Sequence, residues 1–316
     1  MSGALQTIQS VAGNDGQQSA LISNLFEIFL GVTGFFYLVV IVFLVWAIVR
    51  RRRNEASREP LLGRTLVVWV GIVALTLSGL SIATWLTDRS LAQAADRPGL
   101  QITLTSHQWW WEVRYDNGQA SQVIHTANEL HLPLGVPAEI SLRSSDVIHS
   151  LWIPNLSGKE DLIPGRTNSM TITPLHAGIY RGQCAEYCGM QHANMALDVT
   201  VESPADFERW RAAQLAPPPP PPTAPLARAG YDYVTAGPCA SCHNIAGTPA
   251  SGQVAPDLSH VASRRSIAAG TLAMSHANLV GWVSDPQGVK PGNAMPNVPL
   301  DGLQLAAITA YLETLR

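Results

Sequence analysis

At 316 residues the chain is long enough for about two domains with additional segments. Its net charge of -3 is too small to argue for a nucleic-acid partner. Only 14% of residues are charged against 47% hydrophobic, which points to membrane segments. The four cysteines fall in two close pairs, Cys184 with Cys188 and Cys239 with Cys242. Sequence alone allows three disulfide pairings, so the neighbours of each pair must decide their chemistry.

Residues 1–24 are polar and lack Lys and Arg. Ile28–Val49 and Thr65–Leu86 then each run without a charge. A helix rising 1.5 Å per residue covers the roughly 30 Å of a bilayer core in about 20 residues, so both stretches are long enough to span. Arg50–Arg53, Arg58 and Arg64 lie between them against only Glu55 and Glu59. Basic connectors stay in the cytoplasm, which turns both ends of the hairpin outward. A cleaved signal peptide carries its positive charge before the apolar run, whereas here it follows. The expectation is a two-helix anchor over 25–87 in a bacterial-type plasma membrane, with an external segment 1–24 and everything beyond Thr87 exported.

From Leu100 the pattern changes to short β-branched and aromatic runs broken by Pro and Gly, such as Gln101–Thr105, Glu139–Arg143 and Ser169–Thr173. These predict a β-sandwich or barrel over 88–216. The region carries nine basic and fourteen acidic residues, a surface able to steer a basic partner. Cys184–Met195 reads Cys-Ala-Glu-Tyr-Cys-Gly-Met-Gln-His-Ala-Asn-Met, between two strand-like runs. Two thiols, an imidazole, thioethers and a carboxylate in twelve residues form a metal loop, and the soft ligands favour copper. A closed zinc site would leave the methionines idle. The upstream imidazole stays open on spacing alone, because His107, His125, His131, His149 and His176 are all available.

Residues 203–216 predict an amphipathic helix with Phe207, Trp210 and Leu215 as its apolar positions. The six prolines Pro217–Pro222 open a semi-rigid polyproline linker over 217–225. In the last domain, 226–316, Cys239-Ala-Ser-Cys242-His243 is the pattern by which two thiols bond the haem vinyl groups and the histidine ligates iron. A redox dithiol would sit in a βαβ setting that is not found here. Met295, in Lys290-Pro-Gly-Asn-Ala-Met295-Pro, is the expected second axial ligand, with Met274 the weaker candidate. His/Met ligation fills both axial sites and favours electron transfer. Asp301-Gly-Leu-Gln304 predicts a capping box that opens a final helix, with Leu305, Ile308, Leu312 and Leu315 as its buried stripe.

Together these features resemble subunit II of the haem-copper cytochrome c oxidases, in the form with a fused C-terminal cytochrome c domain. The resemblance rests on the hairpin, His107-Gln-Trp109-Trp110-Trp111, Asp146-Val-Ile-His149-Ser150, Ile163-Pro-Gly-Arg166, the metal loop and the haem motif. It implies a multidomain chain: a two-helix transmembrane hairpin, a cupredoxin-like β-barrel and an all-α class I cytochrome c domain. It also implies that Cys184 and Cys188 bridge the two coppers of a CuA centre, with His149, His192, Met195 and the carbonyl of Glu186 as further ligands. The Glu186 carboxylate would reach a magnesium ion at the interface with subunit I. Trp109 would be the aromatic where electrons arrive, and Trp109 and Trp111 would share one strand face against Trp110. Lys159 and Asp161 match positions on the subunit I side. One departure concerns a glutamate that the family often has just before a tryptophan at the start of the second span. Leu66 stands three residues before Trp69 here, and the nearest acid is Glu59.

The implied function is that of the subunit through which electrons enter a respiratory terminal oxidase. They would come from a cytochrome c or a quinol-cytochrome c reductase and pass through haem and CuA to subunit I, with subunit III alongside. The oxygen chemistry would lie outside this chain. A nitric oxide reductase would use the same CuA subunit, and only the neighbouring catalytic subunit separates the two. A membrane-tethered copper-delivery protein is the third reading. It needs neither Glu186, His192 and Met195 after the cysteine pair nor a fused haem.

Overall fold

The computed structural model describes residues 7–50, 59–95 and 99–316. It divides into a helical unit, Ala20–Asp96, and a unit of Met1–Ser19 with Arg97–Arg316. The connector residues Arg51–Arg53, Glu55 and Arg58, which carry the orientation argument, lie outside the described residues.

The hairpin consists of α1 (Gln17–Val49) and α2 (Glu59–Ala95). At 1.5 Å per residue they run about 50 and 55 Å, well beyond a bilayer core. Helix α2 continues to Ala95, and the first strand starts at Leu100, where the β-type sequence pattern begins. Leu30, Phe35, Leu38 and Phe43 on α1, and Val67 and Leu75 on α2, are exposed. So large an apolar surface suits lipid rather than water. The hydroxyls of Thr33, Thr76, Ser78, Ser81 and Thr84 donate to the carbonyl four residues back in their own helix, which satisfies them without a solvent partner. Arg50 lies over Trp46, and Arg89 over Trp85, the pairing of aromatic and cation found at membrane interfaces. The two helices are a membrane anchor.

The β-domain has ten strands in two five-stranded sheets. They are β1 (Leu100–His107), β2 (Trp110–Tyr115), β3 (Ile124–Ala127), β4 (Glu129–Pro133), β5 (Ala138–Ser144), β6 (His149–Trp152), β7 (Lys159–Leu162), β8 (Asn168–Ile172), β9 (Gly178–Cys184) and β10 (Ala196–Glu202). One sheet has the order β3-β2-β1-β5-β8, the other β4-β10-β9-β6-β7. Alternation sends Ile102 and Leu104 from β1, and Trp111 and Val113 from β2, into one core with Leu130, Leu151 and Val199 of the other sheet. Burying a side chain of this size stabilises by about 1.5–3 kcal/mol, so the inward faces hold the cupredoxin-like barrel together. Helix α3 (Pro204–Gln214) follows, capped by Ser203 and packing Phe207 and Trp210 onto the barrel.

The N-terminal segment also belongs to this unit. Ile8 bridges β9 in parallel, donating its N–H to Ile179 O at 2.8 Å and accepting from Arg181 N–H at 3.0 Å. Asn155 ties down the rest: its Oδ1 accepts from Ser10 N–H at 2.7 Å, and its Nδ2 donates to Asp15 Oδ2 at 2.8 Å. The Ser19 hydroxyl donates to the Asn155 carbonyl at 2.7 Å. The residues that open α1 are therefore held on the barrel.

The last domain contains α4 (Pro225–Ala236), a two-residue ladder β11 (Ser266–Ile267) with β12 (Leu272–Ala273), α5 (His276–Ser284), α6 (Pro286–Val289) and α7 (Gly302–Leu312). Asp301 and Gln304 form the capping box that opens α7. Ile308, Leu312 and Leu315 are buried as the stripe requires, and Tyr311 meets Tyr231 of α4 edge-to-face at 5.4 Å. Pro217–Pro222, before α4, is neither helix nor strand.

This domain lies against the barrel. Ala196 N–H donates to Ala269 O at 2.9 Å, and Arg264 Nε stands 3.5 Å from Glu129 Oε1 with both side chains buried. Burial would raise the Glu129 carboxyl, but His131 and Arg264 outweigh it and hold the group below its ordinary range.

Candidate functional site

Cys184 ends β9 and Met195 precedes β10, so the metal loop closes one end of the barrel. Its two ends are joined where Cys184 N–H donates to Met195 O at 2.9 Å. Next to it, Ala185 N–H donates to Ser150 O at 2.9 Å, which ties the loop to the strand that begins with His149.

The donor atoms converge. Cys184 Sγ lies 3.7 Å from Cys188 Sγ, 3.8 Å from His149 Nδ1 and 3.2 Å from Glu186 O. Cys188 Sγ lies 3.6 Å from His192 Nδ1 and 3.9 Å from Met195 Sδ. Sulfur and nitrogen ligands at ordinary metal bond lengths of about 2.3 and 2.0 Å, spread tetrahedrally, stand roughly 3.5–3.8 Å apart. The separations match that spacing, and both thiols are free rather than bonded to each other. Two sets emerge, His149 with the Glu186 carbonyl at Cys184 and His192 with Met195 at Cys188, with the two sulfurs adjacent. Of the histidines left open by spacing, the fold brings His149 to the thiols. His107 and His125 instead flank Glu112, and His131 meets Glu202 at 2.8 Å. Hydrogen bonds from those two histidines pull the Glu112 carboxyl down to about 2.

The site is dry. His149 is fully buried, and Cys184, Cys188 and Met195 are buried as well. Asp146 Oδ1 lies 2.8 Å from His149 Nε2, which leaves Nδ1 directed at Cys184. Burial alone would lower the His149 pKa, but the Cys184 sulfur and Asp146 raise it. The paired thiols split: Cys184 is drawn down to about 3, chiefly by its hydrogen bond with Cys188, and Cys188 is pushed up in return. A pair that already tends to release a proton suits thiolate ligation. An orienting carboxylate behind a ligand histidine typically accounts for about 10–100-fold in metal affinity. Asp146→Asn should therefore weaken copper binding by about that factor in a competition titration against a chelator. An unchanged affinity would remove Asp146 from the site.

The haem motif opens onto a cavity of about 350 Å³, lined by Cys239, Cys242 and His243 and by Met295. Met274 is not among the lining residues and packs instead on the core of the last domain. His243 Nδ1 lies 2.7 Å from Pro256 O, which leaves Nε2 free to ligate a metal. Burial holds His243 below its ordinary pKa, in the neutral form that metal ligation needs. Arg264 also lines the cavity, with its Nε ion-paired to Glu129 and its Nη2 donating to Asp257 O at 2.6 Å. A haem fits this setting, with thiols for its vinyl groups and an imidazole and a thioether for iron.

The barrel supplies part of the cavity wall through Gln108, Trp109 and Trp110. Trp109 is not on a strand, as alternation would have it; it lies in the turn between β1 and β2. Its indole Nε1 donates to Cys188 O at 2.9 Å, and Gln108 Nε2 donates to the same carbonyl at 2.7 Å. Trp109 is only 8% exposed, so it faces the haem cavity rather than solvent. Gly189, at φ +111°, permits this approach, since a Cβ there would stand 3.1 Å from the Trp109 ring. Trp111 is a core residue, and Trp110 stacks on His107 at 4.2 Å.

Sequence reasoning gave no role to Gln108, Asp146, Arg264 or Lys290. Lys290 sits in a Pro-Gly loop of the kind that normally displays its lysine to water, yet it is 2% exposed. Burial drives it down to about 7, with the charge of Cys188 opposing the fall.

Comparisons with known proteins agree with this architecture. Residues 116–202 match the family model "Cytochrome C oxidase subunit II, periplasmic domain", and residues 227–316 match "Cytochrome c". Cytochrome c oxidase subunit 2 of Alkalihalophilus pseudofirmus is 32% identical over 219 residues, covering 68% of this chain and 61% of that protein. Its counterpart in Bacillus sp. strain PS3 is 30% identical over 290 residues, 84% of this chain and 80% of the relative. The crystal structure of the periplasmic domain of subunit II (CoxB) of Bradyrhizobium japonicum is 26% identical, covering 37% of this chain and 95% of that one. Its TM-score is 0.35. With 84% of this chain matched to 80% of the Bacillus relative, and both family models found in it, the chain belongs to the cytochrome c oxidase subunit 2 family, in a form carrying a C-terminal cytochrome c domain.

Proposed function

We propose that this chain accepts electrons for a terminal oxidase, passing them from an external donor through a c-type haem and CuA to the oxygen-reducing centre of subunit I. One observation carries the reading: His149 and the Glu186 carbonyl gather at the Cys184 sulfur, His192 and Met195 gather at the Cys188 sulfur, and the two sulfurs stand 3.7 Å apart. Cys184, Cys188, His149, His192, Met195 and the Glu186 carbonyl would hold the coppers. Cys239 and Cys242 would hold the haem, with His243 and Met295 as axial ligands. When bound, thiolate-bridged coppers share one electron over both metals, so that little rearranges on reduction.

The chain's own residues do the rest. Buried side chains around His149 and Met195 exclude water, and Asp146 fixes the imidazole. Trp109, between the haem cavity and the Cys188 carbonyl, offers a short covalent and hydrogen-bonded route from one site to the other. With Trp109 covered, an external donor would reduce the haem domain rather than meet the tryptophan itself. The half-exposed Glu186 carboxylate is the proposed magnesium ligand facing subunit I, on whose side Lys159 and Asp161 would also lie. The packing of residues 8–19 on the barrel supports one membrane side for the N-terminus, barrel and haem domain. That side is the periplasmic one in the proposed orientation.

Purification of the complex tests the reading. Oxygen uptake driven by reduced cytochrome c is the expected result. Turnover of nitric oxide without oxygen uptake would assign the chain to a reductase instead.

A further inference from the structure

In its ammonium form Lys290 has three protons and no acceptor, and it is met by three carbonyls. It donates to Trp109 O at 2.8 Å, Asn194 O at 2.7 Å and Ala268 O at 3.0 Å. Two of these belong to the barrel and one to the haem domain. Trp109 is the residue whose indole holds the Cys188 carbonyl, and Asn194 directly precedes Met195. Lys290 itself begins the loop that ends in Met295, and it lines the haem cavity.

Neighbouring contacts keep that loop flat against the copper loop. Gln191 Nε2 donates to Pro291 O at 2.7 Å. Gly292, at φ +82°, lies so close that a Cβ there would stand 3.4 Å from Met190 Sδ and 3.7 Å from the Trp109 ring. Other domain contacts, among them Arg264 with Glu129, Ser266 with Asp198 and Ala196 with Ala269, involve other segments. Without Lys290 the domains would stay docked, but nothing charged would tie the Met295 loop to Trp109 and Asn194.

We infer that Lys290 is a positioning residue that clamps the Met295 loop of the haem domain onto the Trp109 turn and the Met195 end of the metal loop, fixing the distance between the two redox sites. The inference rests on the proposed haem and copper sites. Tunnelling rates fall exponentially with distance, so loosening this one contact should slow internal transfer while sparing both centres.

The test uses the full-length chain in detergent, loaded with haem and copper. Lys290→Met keeps the aliphatic stem and removes every donor; Lys290→Gln keeps two donors on a shorter arm. Amide hydrogen exchange over 290–296 and 108–110 should quicken in the methionine variant and lie between it and wild type in the glutamine variant. Electron transfer from flash-reduced haem to copper should slow in the methionine variant and slow less in the glutamine variant. Haem absorbance and the copper resonance should stay as in wild type. Wild-type exchange and wild-type transfer rates in both variants would overturn the clamp, as would rates that fall only in step with global unfolding. Wild-type protein lacking the binuclear resonance would instead overturn the proposed sites. If the methionine variant does not fold, the glutamine variant carries the same comparison.

Discussion

Cys188→Ala should abolish the binuclear copper resonance while leaving haem attached. Cys188 Sγ stands within 4 Å of Cys184 Sγ, His192 Nδ1 and Met195 Sδ, so its loss removes the sulfur at which His192 and Met195 gather and the neighbour of the Cys184 sulfur. Its carbonyl, which anchors Gln108 and Trp109, is backbone and survives the substitution. The barrel should therefore stay folded, and the defect should be confined to copper. Electron paramagnetic resonance of the oxidised wild type should show one unpaired electron spread over two equivalent copper nuclei. The variant should show a single-copper spectrum or none. Oxygen uptake by the assembled complex should fall at least about a hundredfold, the upper end of what disturbing a metal's surroundings costs. A variant that retains the two-nucleus spectrum would disprove a bridging role for Cys188.

Met295→Ala should keep the haem covalently bound and change its electronics. Attachment depends on Cys239 and Cys242, and the His243 ligand is held independently through Pro256. The thioether is the separable part. Its loss should remove the sulfur-to-iron charge-transfer band of the oxidised haem. It should also lower the midpoint potential by on the order of a tenth of a volt, within the roughly 0.8 V that axial ligation spans. Met274→Ala should do neither, because that side chain packs on the domain core away from the cavity. A potentiometric titration with optical detection separates the two residues. An unaltered band in the Met295 variant would return the assignment to Met274.

Much of the architecture was legible because it is local. Uncharged runs longer than a bilayer mark α1 and α2, alternating burial marks β1 and β2, and Asp301 with Gln304 marks the start of α7. The C-x-x-C-H and Cys184–Met195 motifs are also local, since each packs its chemistry into a few consecutive residues. Boundaries were less legible: α2 runs to Ala95 because helix geometry continues past the end of the apolar span. Strand alternation misplaced Trp109, because the chain turns after His107 and resumes as a strand only at Trp110.

The sequence by itself determined which ligand types are present, that two cofactor modules follow a membrane hairpin, and where a proline-rich linker separates them. Spacing left the upstream histidine open and the family resemblance pointed to His149; the tertiary structure shows how it meets the thiols. His149 precedes Cys184 by 35 positions and reaches it because β6 pairs with β9. Only the tertiary structure decided that Trp109 faces the haem cavity and that Lys290 is buried between domains. Those facts depend on surfaces meeting across 80 to 180 residues of chain, and neither hydrophobic period nor motif spacing records such meetings.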